Sequence, residues 1–262
     1  MIQVDQADDP RLEPYRHVGD PAWLRERGLF VAEGRLVVAR LIESGHAIES
    51  VLVTPASHAA LGPTPSGRCP VLVAPQSIVN GVTGFNFHRG CLAIAPRFPA
   101  LDLDAFADAR RLVILEGVNN PDNVGGVFRS GAALGADGVL LGPGAGDPLY
   151  RKAMRTSMGA ALRLPFAAIA PWPDALRSLR DRGVVIAALS PSGTVTLDDF
   201  AAETPADARI AVIAGAEGSG LSGAAIAAAD TVVRIPVDPR SDSLNLVVAV
   251  SIALDRLRRF RL

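Results

Sequence analysis

The second half of this 262-residue chain contains six short runs, at 112–115, 138–141, 164–169, 184–189, 210–214 and 231–235, that are apolar nearly throughout rather than at every second position. A strand with one face in water alternates apolar and polar residues, whereas a strand covered on both faces does not. Between the runs lie stretches with helical character, at 124–134 (closed by Gly135), 149–158, 173–182, 222–229 and from 244 to the end. The alternation predicts an α/β domain in which helices cover both faces of a parallel sheet. In such a domain the ligand site forms in loops at the carboxyl ends of the strands.

The first part of the chain has the same alternation on a smaller scale. Short apolar runs at 29–32, 48–53, 71–73 and 91–95 flank a helical pattern at 35–44, which reads as a small α/β unit. Residues 96–109 carry two prolines and an acidic, weakly patterned stretch, as expected of a linker. The expected division is therefore a first domain at 1–97, a linker at 98–108 and a second domain at 109–262.

Several chemistries are excluded by what the second half lacks. All four histidines (His17, His46, His58, His88) and both cysteines (Cys69, Cys91) precede residue 92. A site built in the second half cannot draw on a Ser-His-Asp triad, a cysteine nucleophile or a histidine-ligated metal. No metal is expected, and the two cysteines read as buried free thiols. A formal net charge of −1 excludes a uniformly basic surface, so any contact with nucleic acid has to come from local patches. No stretch is long and apolar enough to span a bilayer, and the polar, acidic N-terminus is unlike a signal peptide. A cytoplasmic protein with no membrane partner is expected.

Three blocks stand where an apolar run hands over to a helix. The first, 119–135, contains Asn123, Gly125, Gly126 and Arg129. An N-cap accounts for Asp122 or Asn123 without any function, but two glycines in the first turn of a helix are unfavourable unless something must approach the backbone closely. The second, 214–222, is glycine-rich around Glu217. It lacks both the dinucleotide-loop spacing and a Walker lysine, and a carboxylate in the turn repels phosphate, so a cationic or neutral ligand fits better. The third, 235–254, opens with Ile235 and Pro236 and carries Ser243, Leu244 and Asn245 at the start of the last helix. Capping accounts for Asp242 or Ser243; it leaves Asn245, read as lying inside the first turn, unexplained.

The three blocks in this order resemble the SpoU family of RNA ribose 2′-O-methyltransferases, of the SPOUT class. Asn123-Val-Gly-Gly-Val-Phe-Arg129 is similar to the family's first motif, Gly215 to Ser222 to its glycine-rich second motif, and Ile235-Pro236 followed by Ser243-Leu244-Asn245 to its third. The stretch from Tyr150 to Ala160 resembles a further family element, Arg-x-Ser-x-Gly-Ala. In the first half, Phe30 to Arg35 and Gly84 to Gly90 resemble the L30e-like RNA-binding module that precedes the catalytic domain in some members. Residues 237–242 depart from the loop that many members carry there.

The resemblance implies an L30e-like module followed by an α/β-knot domain, a parallel sheet with a trefoil knot near the C-terminus, forming a homodimer through that domain. It implies S-adenosylmethionine as cofactor and RNA, ribosomal RNA above all, as partner. The implied catalytic residues are Arg129, Asn123, Glu217, Ser243 and Asn245. The cofactor residues are Leu189, Gly215, Glu217, Gly220, Ile235, Pro236, Leu244 and Asn245. The RNA-binding residues are Glu33, Arg35, His88, Arg89, Arg151, Lys152 and Arg155. Two roles for Arg129 stay open. It can act as a base assisted by substrate phosphate, against a free-arginine pKa above ~12, or it can hold the nucleotide and stabilise developing alkoxide charge. The alternatives are a transfer-RNA ribose methyltransferase, a small-molecule enzyme on a doubly wound sheet, and a non-catalytic RNA-binding protein of the same fold.

Overall fold

The computed structural model describes residues 1–61, 69–87, 90–238, 240 and 243–258. The described chain forms two compact units, one of Met1–Pro99 with Leu149–Leu162 and one of Ala100–Pro148 with Arg163–Leu262.

The first unit contains β1 (Ile2–Gln3), β2 (Leu29–Glu33), β3 (Ser50–Val53), β4 (Val71–Val73) and β5 (Cys91–Pro96) in the sheet order β1-β4-β3-β5-β2. β5 runs antiparallel to both β2 and β3, and the other pairs are parallel. The strands foreseen at 29–32, 71–73 and 91–95 are present within a residue; the run at 48–53 starts pairing only at Ser50. The helix Arg35–Glu43 buries Val37, Val38 and Leu41 at helical spacing and starts from Gly34, whose φ of 91° suits a residue without Cβ. Residues 149–162, which lie in the chain between two strands of the second unit, pack with this unit. Their helix Arg151–Thr156 lies against β2 with Ala153 and Met154 fully buried.

The second unit is a seven-stranded sheet, parallel throughout: β6 (Arg111–Glu116), β7 (Gly138–Leu141), β8 (Phe166–Ala168), β9 (Val184–Leu189), β10 (Val195–Thr196), β11 (Arg209–Gly215) and β12 (Thr231–Arg234), in the order β10-β12-β9-β11-β6-β7-β8. Five of the six foreseen runs match to within a residue at each end. The run at 164–169 shortens to Phe166–Ala168; at its start Pro165 has no N–H to give to the ladder. β10 and the helix Leu197–Glu203 were not foreseen. Their signal is Thr196, whose Oγ1 caps the N–H of Asp199 at 3.1 Å.

From β6 the chain moves outward to β7 and β8 and then returns to β9 on the other side, with β11 inserted between β9 and β6. Loops leaving the carboxyl ends of β6, β9, β11 and β12 therefore meet near the middle of the sheet. One apolar layer fills the space around Ile114, Ile186 and Ile213, and another, around Val212, Val233 and Ala253, takes in the last helix, Leu246–Arg256. Phe106 lies over Gly138, where a Cβ would sit 2.3 Å from its ring, so residues 100–109 supply core as well as connection.

Candidate functional site

The first block forms the start of the helix Pro121–Leu134. Its cap is Asn120, whose side chain accepts from the N–H of Asp122 at 2.9 Å, with Pro121 in the first turn. Neither Asp122 nor Asn123 is the cap, which leaves the Asn123 side chain available while 94% buried. The close neighbour that explains Gly126 is the last helix. A Cβ on Gly126 would lie 2.7 Å from Val247 Cγ2, so the two helices approach to a distance that only glycine permits at that point.

The second block is a tight loop out of β11. Gly218 and Gly220 have φ of 93° and 67°, and Gly220 N–H returns to Ala216 O at 2.9 Å. Gly215 faces the returning backbone; a Cβ there would lie 2.3 Å from the Gly220 carbonyl carbon and 2.4 Å from Leu221 N. Backbone cannot retreat as a side-chain tip can, so this position excludes every residue but glycine. The loop projects Glu217 outward.

In the third block the last helix begins at Leu246, and Asn245 is its cap rather than a residue inside the first turn. Asn245 Oδ1 accepts from Val247 N–H at 2.9 Å and Val248 N–H at 3.4 Å. Capping thus explains half of this side chain. The other half, Nδ2, donates to Glu217 Oε1 at 2.8 Å and to Asn123 Oδ1 at 3.4 Å. One amide joins the three blocks, across separations of 122 and 28 residues.

Beside this junction lies a cavity of about 450 Å³, walled by Leu189, Ser190 and Pro191 at the end of β9, by Ala214 to Gly218 and Gly220 at the end of β11, by Val233, Ile235 and Val237, and by Ser243 to Leu246 with Ala249. The walls are largely aliphatic and backbone, and among the described residues that line them the single charged side chain is Glu217. Of the residues expected to hold a cofactor, Leu189, Gly215, Glu217, Gly220, Ile235, Leu244 and Asn245 line the cavity, and Pro236 is exposed next to it. Ser190, Pro191 and Ala249 also line it. Nothing in their types signalled this, since they are brought in by the fold.

Of the expected catalytic residues, Asn123, Glu217 and Asn245 are brought together and Ser243 lines the cavity. Arg129 is not among them: it is exposed on the helix Pro121–Leu134 and outside the cavity wall. Glu116 escaped the sequence reading altogether. It ends β6 at 8% exposure, paired in register with Gly215, and its carboxylate accepts from Ser222 N at 2.8 Å and from Ser222 Oγ at 2.6 Å.

The expected RNA-binding residues are distributed over the first unit. Glu33 is 95% buried at the end of β2 with Arg151 Nε at 3.5 Å and Arg155 Nη1 at 3.7 Å, and the Arg151 guanidinium lies over the Phe85 ring at 4.7 Å. Arg35 is exposed at the start of its helix and Lys152 is half-buried. His88 and Arg89 lie outside the described residues, as does Asp242. Cys91 is buried, which pushes its thiol up to about 12, and Cys69 is half-buried. No helix among the described residues is long and apolar enough to cross a membrane, and no group of three or more His, Cys, Asp and Glu side chains there could hold a metal ion.

The model of the SpoU rRNA methylase family matches residues 110–255. An uncharacterized tRNA/rRNA methyltransferase of Mycobacterium tuberculosis (strain ATCC 25618 / H37Rv) is 38% identical over 256 residues, spanning 95% of this chain and 89% of the relative. Among solved structures, an AdoMet-bound rRNA methyltransferase from Sinorhizobium meliloti superposes with a TM-score of 0.82 at 25% identity, covering 99% of this chain and 98% of that one. The SpoU methyltransferase AviRb from Streptomyces viridochromogenes, in complex with AdoMet, superposes with a TM-score of 0.79 at 20% identity, covering 95% and 97%, a likeness of fold.

Proposed function

The chain belongs to the SpoU rRNA methylase family, and from that premise we propose that it transfers the methyl group of S-adenosylmethionine to a ribose 2′-hydroxyl of ribosomal RNA. The observation that carries the reading is the Asn245 amide, bonded at once to Glu217 and Asn123 beside a cavity of about 450 Å³. The chemistry of the walls fits the cofactor. S-adenosylmethionine carries a sulfonium cation and no phosphate, and the described residues of the cavity wall offer one carboxylate, no basic side chain and mostly apolar surface.

When bound, the cofactor supplies an electrophilic methyl group. The loop 215–220 and the backbone after β9 and β12 would hold it, with Glu217 near its positive charge. Asn245 fixes the Glu217 carboxylate and, through Asn123, ties the cofactor loop to the helix that carries Arg129. The Arg129 side chain makes no hydrogen bond or ion pair with a described residue and is open to solvent. These properties suit a guanidinium that meets an RNA phosphate and the developing alkoxide, the proton leaving to phosphate or water. The first unit recruits the RNA, and the working form is a homodimer through the second unit, as the family resemblance implies.

The test is titration of S-adenosylmethionine into the wild type and Asn245→Ala, followed by methyl transfer to ribosomal RNA. Binding by the wild type, a marked loss in the variant and transfer to RNA are expected. A wild type that binds no S-adenosylmethionine overturns the reading.

A further inference from the structure

We infer that Glu116 is a positioning residue for the cofactor loop, acting through Ser222; the inference rests on the assignment of the loop 215–222 to S-adenosylmethionine. The loop leaves β11 at Gly215, and Glu116 is the register partner of Gly215 on β6. From there the Glu116 carboxylate reaches the far end of the same loop, accepting from both the backbone N–H and the hydroxyl of Ser222 at 2.8 and 2.6 Å. Ser222 Oγ in turn accepts from Ala225 N–H at 3.1 Å and caps the helix Gly223–Ala228. Every group in this chain of bonds is engaged in a defined direction, donor to acceptor, and it ends on a carboxylate that is 8% exposed.

The arrangement closes the loop at both ends. At one end the strand pairing fixes Gly215; at the other Glu116 fixes Ser222; between them the Ala216–Gly220 bridge and the Gly215 contact leave Glu217 at the tip, in reach of Asn245. The loop's own sequence is rich in glycine, which on its own is conformationally permissive. An anchor outside the loop is what converts such a segment into a preformed wall. A carboxylate suits the task because it accepts two hydrogen bonds side by side, whereas an amide at the same place offers one acceptor and turns its NH₂ toward a donor.

Glu116→Gln keeps the shape and removes one of the two acceptors, so S-adenosylmethionine affinity is expected to fall by about tenfold, the effect of one charge-assisted hydrogen bond. The assay is calorimetric titration of S-adenosylmethionine, alongside RNA affinity and kcat at saturating cofactor, for wild type, Glu116→Gln, Ser222→Ala and the double variant, with melting temperatures to confirm folding. The expected pattern is a raised Kd and KM for S-adenosylmethionine with RNA affinity unchanged, and a smaller effect of Glu116→Gln in the Ser222→Ala background. Equal cofactor affinity in Glu116→Gln and wild type overturns the inference. So does an equal loss in both Ser222 backgrounds, which would mean that Glu116 does not act through Ser222, and so does a parallel loss of cofactor and RNA affinity, the mark of general destabilisation. Failure of the wild type to bind S-adenosylmethionine would refute the parent assignment instead, so the two failures are distinct.

Discussion

Gly126→Ala tests the claim that the helix carrying Asn123 and the helix capped by Asn245 are held at glycine distance. The added methyl would stand 2.7 Å from Val247 Cγ2 and 3.0 Å from Cγ1. Valine in a helix has essentially one χ1 rotamer, so its methyl groups cannot turn away and the helices must separate. Overpacking of this kind costs about 1–3 kcal/mol, and alanine returns about 1 kcal/mol of helix propensity, leaving a net loss centred on about 1 kcal/mol. For a unit of this size that is a fall in Tm of roughly 2–4 °C. Val247 N–H is bonded to Asn245 Oδ1, so the displacement also moves the amide that holds Glu217, and S-adenosylmethionine affinity should fall severalfold. The background decides the sign. With Val247→Ala the nearest atom is Cβ at 3.4 Å, an ordinary contact, so Gly126→Ala should stabilise that background by its propensity gain. Thermal melts and cofactor titrations of the four proteins form the assay. Gly126→Ala stabilising the wild type, or additive effects in the double variant, would refute the reasoning.

Asn245→Asp keeps the oxygen that caps the last helix but removes the N–H donor to Glu217 and sets a second carboxylate against it, so circular dichroism should give a near-wild-type Tm while cofactor titration shows a severalfold loss of affinity. Arg129→Ala should reduce kcat for RNA by at least about a hundredfold with cofactor affinity retained, the scale of losing one preorganised stabiliser of transition-state charge; wild-type turnover would remove Arg129 from the chemistry. Cys91 should resist alkylation in the native protein and react on unfolding, as read by mass spectrometry. Because burial raises its folded-state value from 9.0 to about 12, its contribution to stability is fully present below pH 9 and lost as the pH rises through 12. Native labelling of Cys91 at pH 8 would contradict its burial.

The parallel sheet was legible in the sequence because burial on both faces leaves continuous apolar runs; Pro165 shortened one of them, and the two-residue, half-buried edge strand β10 is too short to leave such a run. The three blocks were legible because glycine, proline and lone polar residues at strand ends are unusual in combination. What stayed hidden depended on distance in the chain. Asn123, Glu217 and Asn245 could each be named, but that one amide joins them depends on helix packing through Gly126, which no local pattern encodes. Glu116 looked like the polar end of an apolar run, since its partner Ser222 lies 106 residues away. The segment 149–162 gave no sign that it packs with the first unit, because the buried face of a six-residue helix does not reveal which sheet covers it. The ion pairs of Arg151 and Arg155 with Glu33 were hidden for the same reason: two of the expected RNA-binding arginines share one buried carboxylate.

The central claim is the position of the methyl group. Ribosomal RNA incubated with the protein and methyl-labelled S-adenosylmethionine, then hydrolysed in alkali, distinguishes the outcomes, because a 2′-O-methyl group blocks cleavage at the adjacent phosphate. Label is expected in alkali-resistant dinucleotides at a defined position, present with the wild type and lost with Arg129→Ala. Label in mononucleotides carrying a methylated base, or no label in RNA from a wild type that binds the cofactor, would contradict it.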